Sequence, residues 1–221
     1  MQLARLFLPL ALLAVLTACA PTKFRSYDGP EVTRVVVYKA ERQMDLLHFG
    51  TVLKSYRVDL GQDPKGHKQR EGDNRTPEGD YVIDRRNPNS AFHLSIGIDY
   101  PNQADRERAR ANGWRPGGDI FIHGRGPNYQ RARGDWTNGC IAVTDRQMED
   151  IYAMVRNGTP ITIFASKQQE LERSGMSAPA LVAGGPVDLL APQSSPVSTV
   201  LVLTPNRDSP RPRPSPARAV R

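Results

Sequence analysis

Between residues 32 and 61, the pattern of apolar and polar positions predicts β-strands. The segments VTRVVVYKA, QMDLLHF and TVLKSYRVDLG are rich in β-branched and apolar residues, and short turns separate them. Strands that follow one another in sequence usually pair, so we expect three antiparallel strands to open the domain. The polar stretch 62–79 that follows has no period and is too long for a hairpin loop, and loops of that length often have a function.

The rest of the pattern predicts further strands and two helices. Strands are expected in DYVIDRR, AFHLSIGIDY, DIFIHG and TPITIFA. A charged surface helix should begin after Asn102, and a second helix should begin at the capping box of Thr144 and Gln147 and end at Gly158. The pattern therefore predicts a mostly β domain with two or three short helices over residues 31–165.

The composition changes beyond residue 165. Many of the 19 prolines lie there, and the chain finishes in PRPRPSPARAVR, which cannot bury enough apolar surface to order itself. The apolar segment VSTVLVL is isolated between prolines. We therefore assign residues 166–221 to a disordered tail.

The first twenty residues have the layout of a secretory signal. Arg5 precedes an apolar run that is too short to cross a bilayer, and small residues follow it. Leu-Thr-Ala-Cys, ending at Cys19, resembles the lipobox of bacterial lipoproteins, whereas Ala-Cys-Ala fits ordinary signal peptidase. The lipobox explains a cysteine in a cysteine-poor chain, so we favour residues 1–18 as signal peptide, a lipid on Cys19 and residues 19–30 as a tether.

Either cleavage takes the protein out of the cytoplasm and into the bacterial cell envelope. Ala20 stands where an aspartate is associated with inner-membrane retention, which favours a periplasmic protein anchored to the outer membrane. The net charge of +7 fits attraction to anionic envelope polymers. We expect no nucleic-acid partner, because an exported protein rarely meets nucleic acid.

Two short segments contain the residue types of a cysteine enzyme. His123 ends the predicted strand DIFIHG, and Cys140 follows Gly139 and opens the apolar segment CIAV. A thiol attacks a carbonyl carbon as the thiolate, and a neighbouring imidazole can take its proton. If Cys19 carries a lipid, Cys140 has no cysteine partner, and a free thiol in an exported protein calls for an explanation. Residue type and spacing alone also fit a buried cysteine and a structural histidine, which are the commoner cases.

Taken together, these motifs resemble the L,D-transpeptidase (YkuD-type) catalytic domain, a family of bacterial cysteine enzymes of peptidoglycan. The resemblance rests on IHG, on Thr-x-Gly-Cys with an apolar residue after it, and on TPEGDY ahead of a strand, and it covers most of Val32 to Phe164. WTNGCIA is similar to the YafK-like branch, with Asn138 where a second histidine is usual and Ala142 where an arginine is usual. The family implies a β-sandwich catalytic domain that needs no cofactor.

The resemblance also implies roles for individual residues. Cys140 would be the nucleophile and His123 the general base, with the backbone carbonyl of Gly124 orienting the imidazole. The backbone N–H groups of Gly139 and Cys140 would form the oxyanion hole.

Substrate contacts are expected from residues between the base and the nucleophile. Arg125 is favoured, because a guanidinium suits the free carboxylates of a diaminopimelate stem and, with Arg131 and Arg133, would help to lower the thiol pKa. A solvated basic loop is the alternative. Thr137 and Asn138 are the other substrate-binding candidates. No metal site is expected, since the remaining histidines do not make metal-ligand spacing with the cysteine.

The implied reaction is L,D-transpeptidation in cell wall remodelling. The thiolate would attack the peptide bond that follows the L-centre of the diamino acid in a stem tetrapeptide, release D-alanine and form a thioester, which an amine acceptor resolves. Two alternatives stay open. Water as acceptor would make the protein an amidase or peptidase that cleaves peptidoglycan or wall-protein cross-links. The other alternative is a non-catalytic wall-binding lipoprotein.

Overall fold

The computed structural model describes residues 22–176, in which the chain forms eight strands and three helices. The strands are β1 (Arg34–Tyr38), β2 (Gln43–His48), β3 (Thr51–Arg57), β4 (Gly79–Asn87), β5 (Ser95–Ile98), β6 (Phe121–His123), β7 (Ile141–Ala142) and β8 (Pro160–Phe164). The helices are α1 (Gln103–Ala111), α2 (Asp145–Met154) and α3 (Lys167–Arg173). The predicted mostly β fold with short helices is confirmed.

One curled sheet joins these strands in the order β3-β2-β1-β8-β4-β5-β6-β7. The predicted antiparallel pairing of β1 with β2 and of β2 with β3 is confirmed. β1 pairs in parallel with β8, and β6 pairs in parallel with β7. Just past β3, Asp59 forms an antiparallel bridge with Ala142 of β7. The two edges of the sheet therefore meet next to the segment that contains Cys140.

A single large hydrophobic cluster joins the sheet to helix α2. Burial alternates along β4, where Tyr81 and Ile83 are buried and Val82 is 39% exposed, as expected for a strand with one face toward the core. On α2 the apolar residues recur at helical spacing and lie on one buried face. The cluster includes Val35, Met44, Ile83, Ile96, Ile122, Met148, Ile151 and Ile161.

The two predicted helix starts are confirmed. Asn102 caps α1 and Thr144 caps α2, and each forms a full capping box, in which the cap side chain accepts from the third helical N–H and the third side chain accepts from the cap N–H. Helix α2 ends at Met154 and not at the predicted Gly158, because Val155 is extended, with φ −94° and ψ 130°.

Helix α3 lies beyond the predicted end of the domain. Residues 166–221 were assigned to the tail, but Lys167–Arg173 is helical. The hydroxyl of Tyr38 on β1 donates to the carboxylate of Glu170 at 2.6 Å. The helix has no buried residue, and Ser166 caps its start by accepting from the N–H of Gln169.

Part of the predicted tether also contacts the domain. The guanidinium of Arg25 lies 2.6 Å from Glu149 and 2.8 Å from Asp150, both on α2. The predicted signal peptide, the lipid site Cys19 and the residues from 177 onward lie outside the described residues. No helix within residues 22–176 is long and apolar enough to span a membrane.

Removing α3 should destabilise the domain, whereas removing only the residues after Met176 should not. A chain that stops at Ala165 loses the Tyr38–Glu170 hydrogen bond and the surface ion pair of Arg173. A hydrogen bond contributes about 1 kcal/mol and an exposed ion pair less, so we expect the melting temperature to fall by roughly 2–8 °C for a domain of this size. Thermal unfolding of the two truncated chains measures the difference, and equal melting temperatures would show that α3 adds no stability.

Candidate active site

Strands β6 and β7 bring His123 and Cys140 to one cavity. The two strands pair in parallel, with Ile122 opposite Ile141 and His123 opposite Ala142. Cys140 directly precedes β7, and its side chain and that of His123 line a cavity of about 330 Å³. The rest of the lining comes from Asn87, Ser90, Ala91, Phe92, Ser95, Asp119 and Phe121.

The imidazole of His123 is buried, and one hydrogen bond orients it. Nδ1 lies 2.6 Å from the carbonyl oxygen of Gly124. A carbonyl can only accept, so Nδ1 carries the proton and Nε2 has a lone pair. Burial lowers the pKa of His123 below its ordinary value of 6.5, and the bond to Gly124 acts in the opposite direction. At neutral pH the imidazole is therefore uncharged, which is the state that a general base requires.

Aromatic side chains surround the imidazole of His123. The ring of Phe92 lies 4.4 Å from the imidazole, centroid to centroid, and Trp136 meets the imidazole edge-on at 5.7 Å. Tyr129 stacks on Trp136 at 4.6 Å. The indole N–H of Trp136 donates to Asp59 at 3.2 Å, which fixes the indole plane. The cluster keeps water away from the ring and accounts for the burial that lowers its pKa.

The thiol of Cys140 is free and protonated at rest. Sγ lies 3.5 Å from the carbonyl oxygen of Asp119. Burial raises the pKa of the thiol, while a backbone hydrogen bond from Phe121 and the positive charges of Lys68 and Arg85 lower it. Because burial dominates, Cys140 needs a base to become a nucleophile.

A tight turn shapes the backbone just before the thiol. Gly139 has φ +125°, which favours glycine, and a Cβ at this position would lie 2.6 Å from the carbonyl oxygen of Arg75. The hydroxyl of Thr137 donates to the carbonyl of Cys140 at 2.7 Å and accepts from the N–H of Gly139 at 3.1 Å. The N–H of Gly139, one of the two expected oxyanion donors, is thus bonded to Thr137 in this structure.

The three residues expected to bind substrate do not line the cavity of Cys140. Arg125 pairs with Asp59 at 2.7 Å and belongs to a separate cavity of about 720 Å³. Thr137 is buried in the turn, and Asn138 is exposed and accepts a hydrogen bond from Gln62 at 3.3 Å. Arg131 and Arg133 also line the separate cavity. The positive charges that act on the thiol come instead from Lys68 and Arg85.

Asp145 has contacts at the site that sequence analysis did not anticipate. Its Oδ1 accepts from the backbone N–H groups of Arg125 at 2.6 Å and Gly126 at 2.9 Å, and its Oδ2 accepts from the side chain of Gln130. The carboxylate therefore holds the loop that follows His123. The one signal in the sequence is an acidic residue directly after a helix N-cap, which is common for helix stability alone.

No group of three or more His, Cys, Asp or Glu side chains within residues 22–176 is placed to hold a metal ion. Two other histidines contact carboxylates instead, with His67 3.1 Å from Asp105 and His93 3.0 Å from Glu149.

Comparison with known proteins decides the family. Residues 32–163, more than half of the chain, match YkuD, the L,D-transpeptidase catalytic domain. This chain belongs to the YkuD family. It is an enzyme of the L,D-transpeptidase family.

Two named proteins are similar to this chain. YafK of Escherichia coli (strain K12) is 30% identical over 128 residues, which cover 55% of this chain and 46% of YafK. Pgp2 of Campylobacter jejuni, a helical cell shape determining protein, is 24% identical with a TM-score of 0.51, over 64% of this chain and 50% of Pgp2. The likeness to Pgp2 shows a shared fold. The chain spans about half the length of the relatives it matches.

Proposed function

We propose that this L,D-transpeptidase joins peptidoglycan stem peptides through a thioester on Cys140, with His123 as the general base. The observation that supports the proposal is one cavity lined by both side chains, at the ends of paired strands. The imidazole is neutral, with its proton on Nδ1 and a lone pair on Nε2. A protonated thiol and a neutral imidazole that line the same cavity are a pair that can transfer a proton when a substrate is bound.

In the first half of the reaction, Nε2 of His123 takes the thiol proton as Sγ of Cys140 attacks the carbonyl carbon after the L-centre of the diamino acid. The C–N bond then breaks, His123 returns the proton to the leaving nitrogen, and D-alanine departs. The acyl group stays on Sγ as a thioester. In the second half, an amine of another stem attacks the thioester, its proton passes to His123, and the thiolate leaves and is reprotonated.

The test is incubation of the purified protein with a disaccharide tetrapeptide, followed by mass analysis of the products. We expect a cross-linked dimer that has lost one D-alanine. A tripeptide formed by uptake of water would make the protein a hydrolase of the same family. Unchanged substrate together with an unmodified protein mass would overturn the proposal and favour a wall-binding lipoprotein.

We also propose that the enzyme works in the periplasm, held to the outer membrane by a lipid on Cys19. The support is the Leu-Thr-Ala-Cys pattern that ends at Cys19, together with Ala20 in the place of an aspartate. Replacing Cys19 with alanine should move the protein from the membrane fraction to the soluble fraction, without loss of specific activity. A wild-type chain whose intact mass corresponds to a free N-terminus at Pro21 would contradict the lipid anchor.

A further inference from the structure

We infer that Asp145 is a positioning residue for the base, because its carboxylate holds the one peptide group whose carbonyl orients His123. The inference rests on the proposed function, since it concerns the base of that reaction. The carbonyl of Gly124 and the N–H of Arg125 belong to the same peptide unit. The carbonyl accepts from Nδ1 of His123 at 2.6 Å, and the N–H donates to Oδ1 of Asp145 at 2.6 Å.

This arrangement links the carboxylate of Asp145 to the imidazole of His123 through the peptide group between Gly124 and Arg125, and we call it the relay. A hydrogen bond to a charged acceptor is short and strong, and hydrogen bonds in a chain polarise one another. The carboxylate of Asp145 therefore increases the negative partial charge on the carbonyl oxygen of Gly124. That oxygen then stabilises the imidazolium that forms when His123 takes the thiol proton. A triad carboxylate does the same by direct contact.

The surroundings hold the carboxylate of Asp145 in this place. Oδ1 also accepts from the N–H of Gly126, and Oδ2 accepts from Gln130. Asp145 is the first residue of α2, where the helix dipole favours a negative charge. The carboxylate of Asp145 is therefore held in one geometry, and its negative charge is stabilised.

Gly124 lets the carboxylate come this close. A Cβ at Gly124 would lie 2.5 Å from Oδ1 of Asp145 and 2.7 Å from the carbonyl oxygen of Phe92. Neither distance is compatible with a side chain, so the relay needs glycine between the histidine and the arginine. This requirement explains the IHG motif by packing as well as by the hydrogen bond to the imidazole.

Other charged groups lie near the relay, so the experiment must distinguish their effects from the effect of Asp145. His93 and Glu149 form a pair at 3.0 Å, and Cβ of His93 would lie 3.3 Å from a side chain at Gly124. The guanidinium of Arg125 is bound to Asp59, away from the carboxylate of Asp145. The charged and titratable groups around the base and the thiol are Asp59, Lys68, Arg85, His93, Asp119, Asp145 and Glu149. His93 is a second, partly buried histidine next to Gly124, so it provides the control.

The experiment measures the rate at which iodoacetamide alkylates Cys140 as a function of pH. Asp145→Asn keeps an oxygen acceptor for the N–H of Arg125 and removes the charge. We expect the rate at neutral pH to fall roughly 3- to 10-fold and the acid limb of the profile to move down by about 0.5–1 pH unit, as for the loss of one nearby charge. Asp145→Glu, which keeps the charge, should leave the acid limb in place, and His93→Gln should leave the whole profile unchanged.

The possible outcomes separate the relay from the proposed function. If His123→Gln leaves the alkylation profile unchanged, the base assignment fails and the proposed function fails with it. If His123→Gln alters the profile while Asp145→Asn moves neither the rate nor the acid limb, the relay alone is overturned. A slower rate with an unmoved acid limb in Asp145→Asn also overturns the relay, because a loss of structure lowers the amplitude without shifting the limb. Thermal unfolding of each variant checks that it is folded.

Discussion

Cys140→Ser should abolish turnover of the disaccharide tetrapeptide while the domain stays folded. Oxygen is similar in size to sulfur, but a hydroxyl is far less acidic than a thiol, so His123 cannot generate a comparable nucleophile. The turn before the residue should persist, because Thr137 binds the backbone of residue 140 and not its side chain. We expect a loss of roughly 10³-fold or more, the range found when a nucleophile is removed.

The measurement is product formation by mass analysis, together with the intact mass of the protein after mixing with substrate. The wild-type chain should gain the mass of an acyl group, and the Cys140→Ser chain should not. Thermal unfolding of both chains supplies the control for the fold. Turnover by the serine variant at the wild-type rate would return Cys140 to the role of a partly buried structural residue.

Much of the fold could be predicted because its strands have local signatures. β1, β2 and β3 follow from β-branched runs separated by short turns, and both helix starts follow from capping boxes. The position of β8 had no such signature. It is the last strand in sequence, yet it lies between β1 and β4 in the middle of the sheet. Pairing between distant segments is set by the packing of the whole core.

The parts of the candidate site that depend on short, local motifs could be predicted from the sequence. The apolar segment CIAV, which Cys140 opens, contains β7, and β7 pairs with β6, the strand that ends at His123. Thr137 could also have been recognised as a turn residue, because a threonine hydroxyl close to a glycine commonly bonds to nearby backbone. Its two bonds reach no farther than Cys140.

Arg125 shows where sequence chemistry is insufficient. A guanidinium between the base and the nucleophile suits a substrate carboxylate, but in the structure Arg125 forms an ion pair with the carboxylate of Asp59. Asp59 is 66 positions away along the chain, and the bridge between Asp59 and Ala142 brings it to Arg125. Asp145 was missed for a related reason, since its contacts with the loop after His123 depend on how α2 packs against the sheet.

His123→Ala should lower the rate of turnover at least roughly 100-fold, the lower range for loss of a general base. Without the imidazole the thiol must lose its proton to water, and burial raises the pKa of that thiol. His93→Ala is the matched control, because His93 is also partly buried and hydrogen-bonded, to Glu149, but does not line the cavity. We expect the control to keep wild-type activity at pH 7.

The wild-type enzyme should also lose activity as the solution becomes acidic, and the pH at which activity falls should lie below the ordinary pKa of histidine. Burial lowers the pKa of His123 from 6.5, and protonation occupies the lone pair on Nε2 that must accept the thiol proton. Activity is therefore full above this lowered pKa and falls as the pH drops through it. The pH dependence of kcat/KM between pH 4 and 8 measures the limb. An acid limb above pH 6.5, or a His123→Ala variant with unchanged kcat/KM, would show that His123 is not the base that activates Cys140.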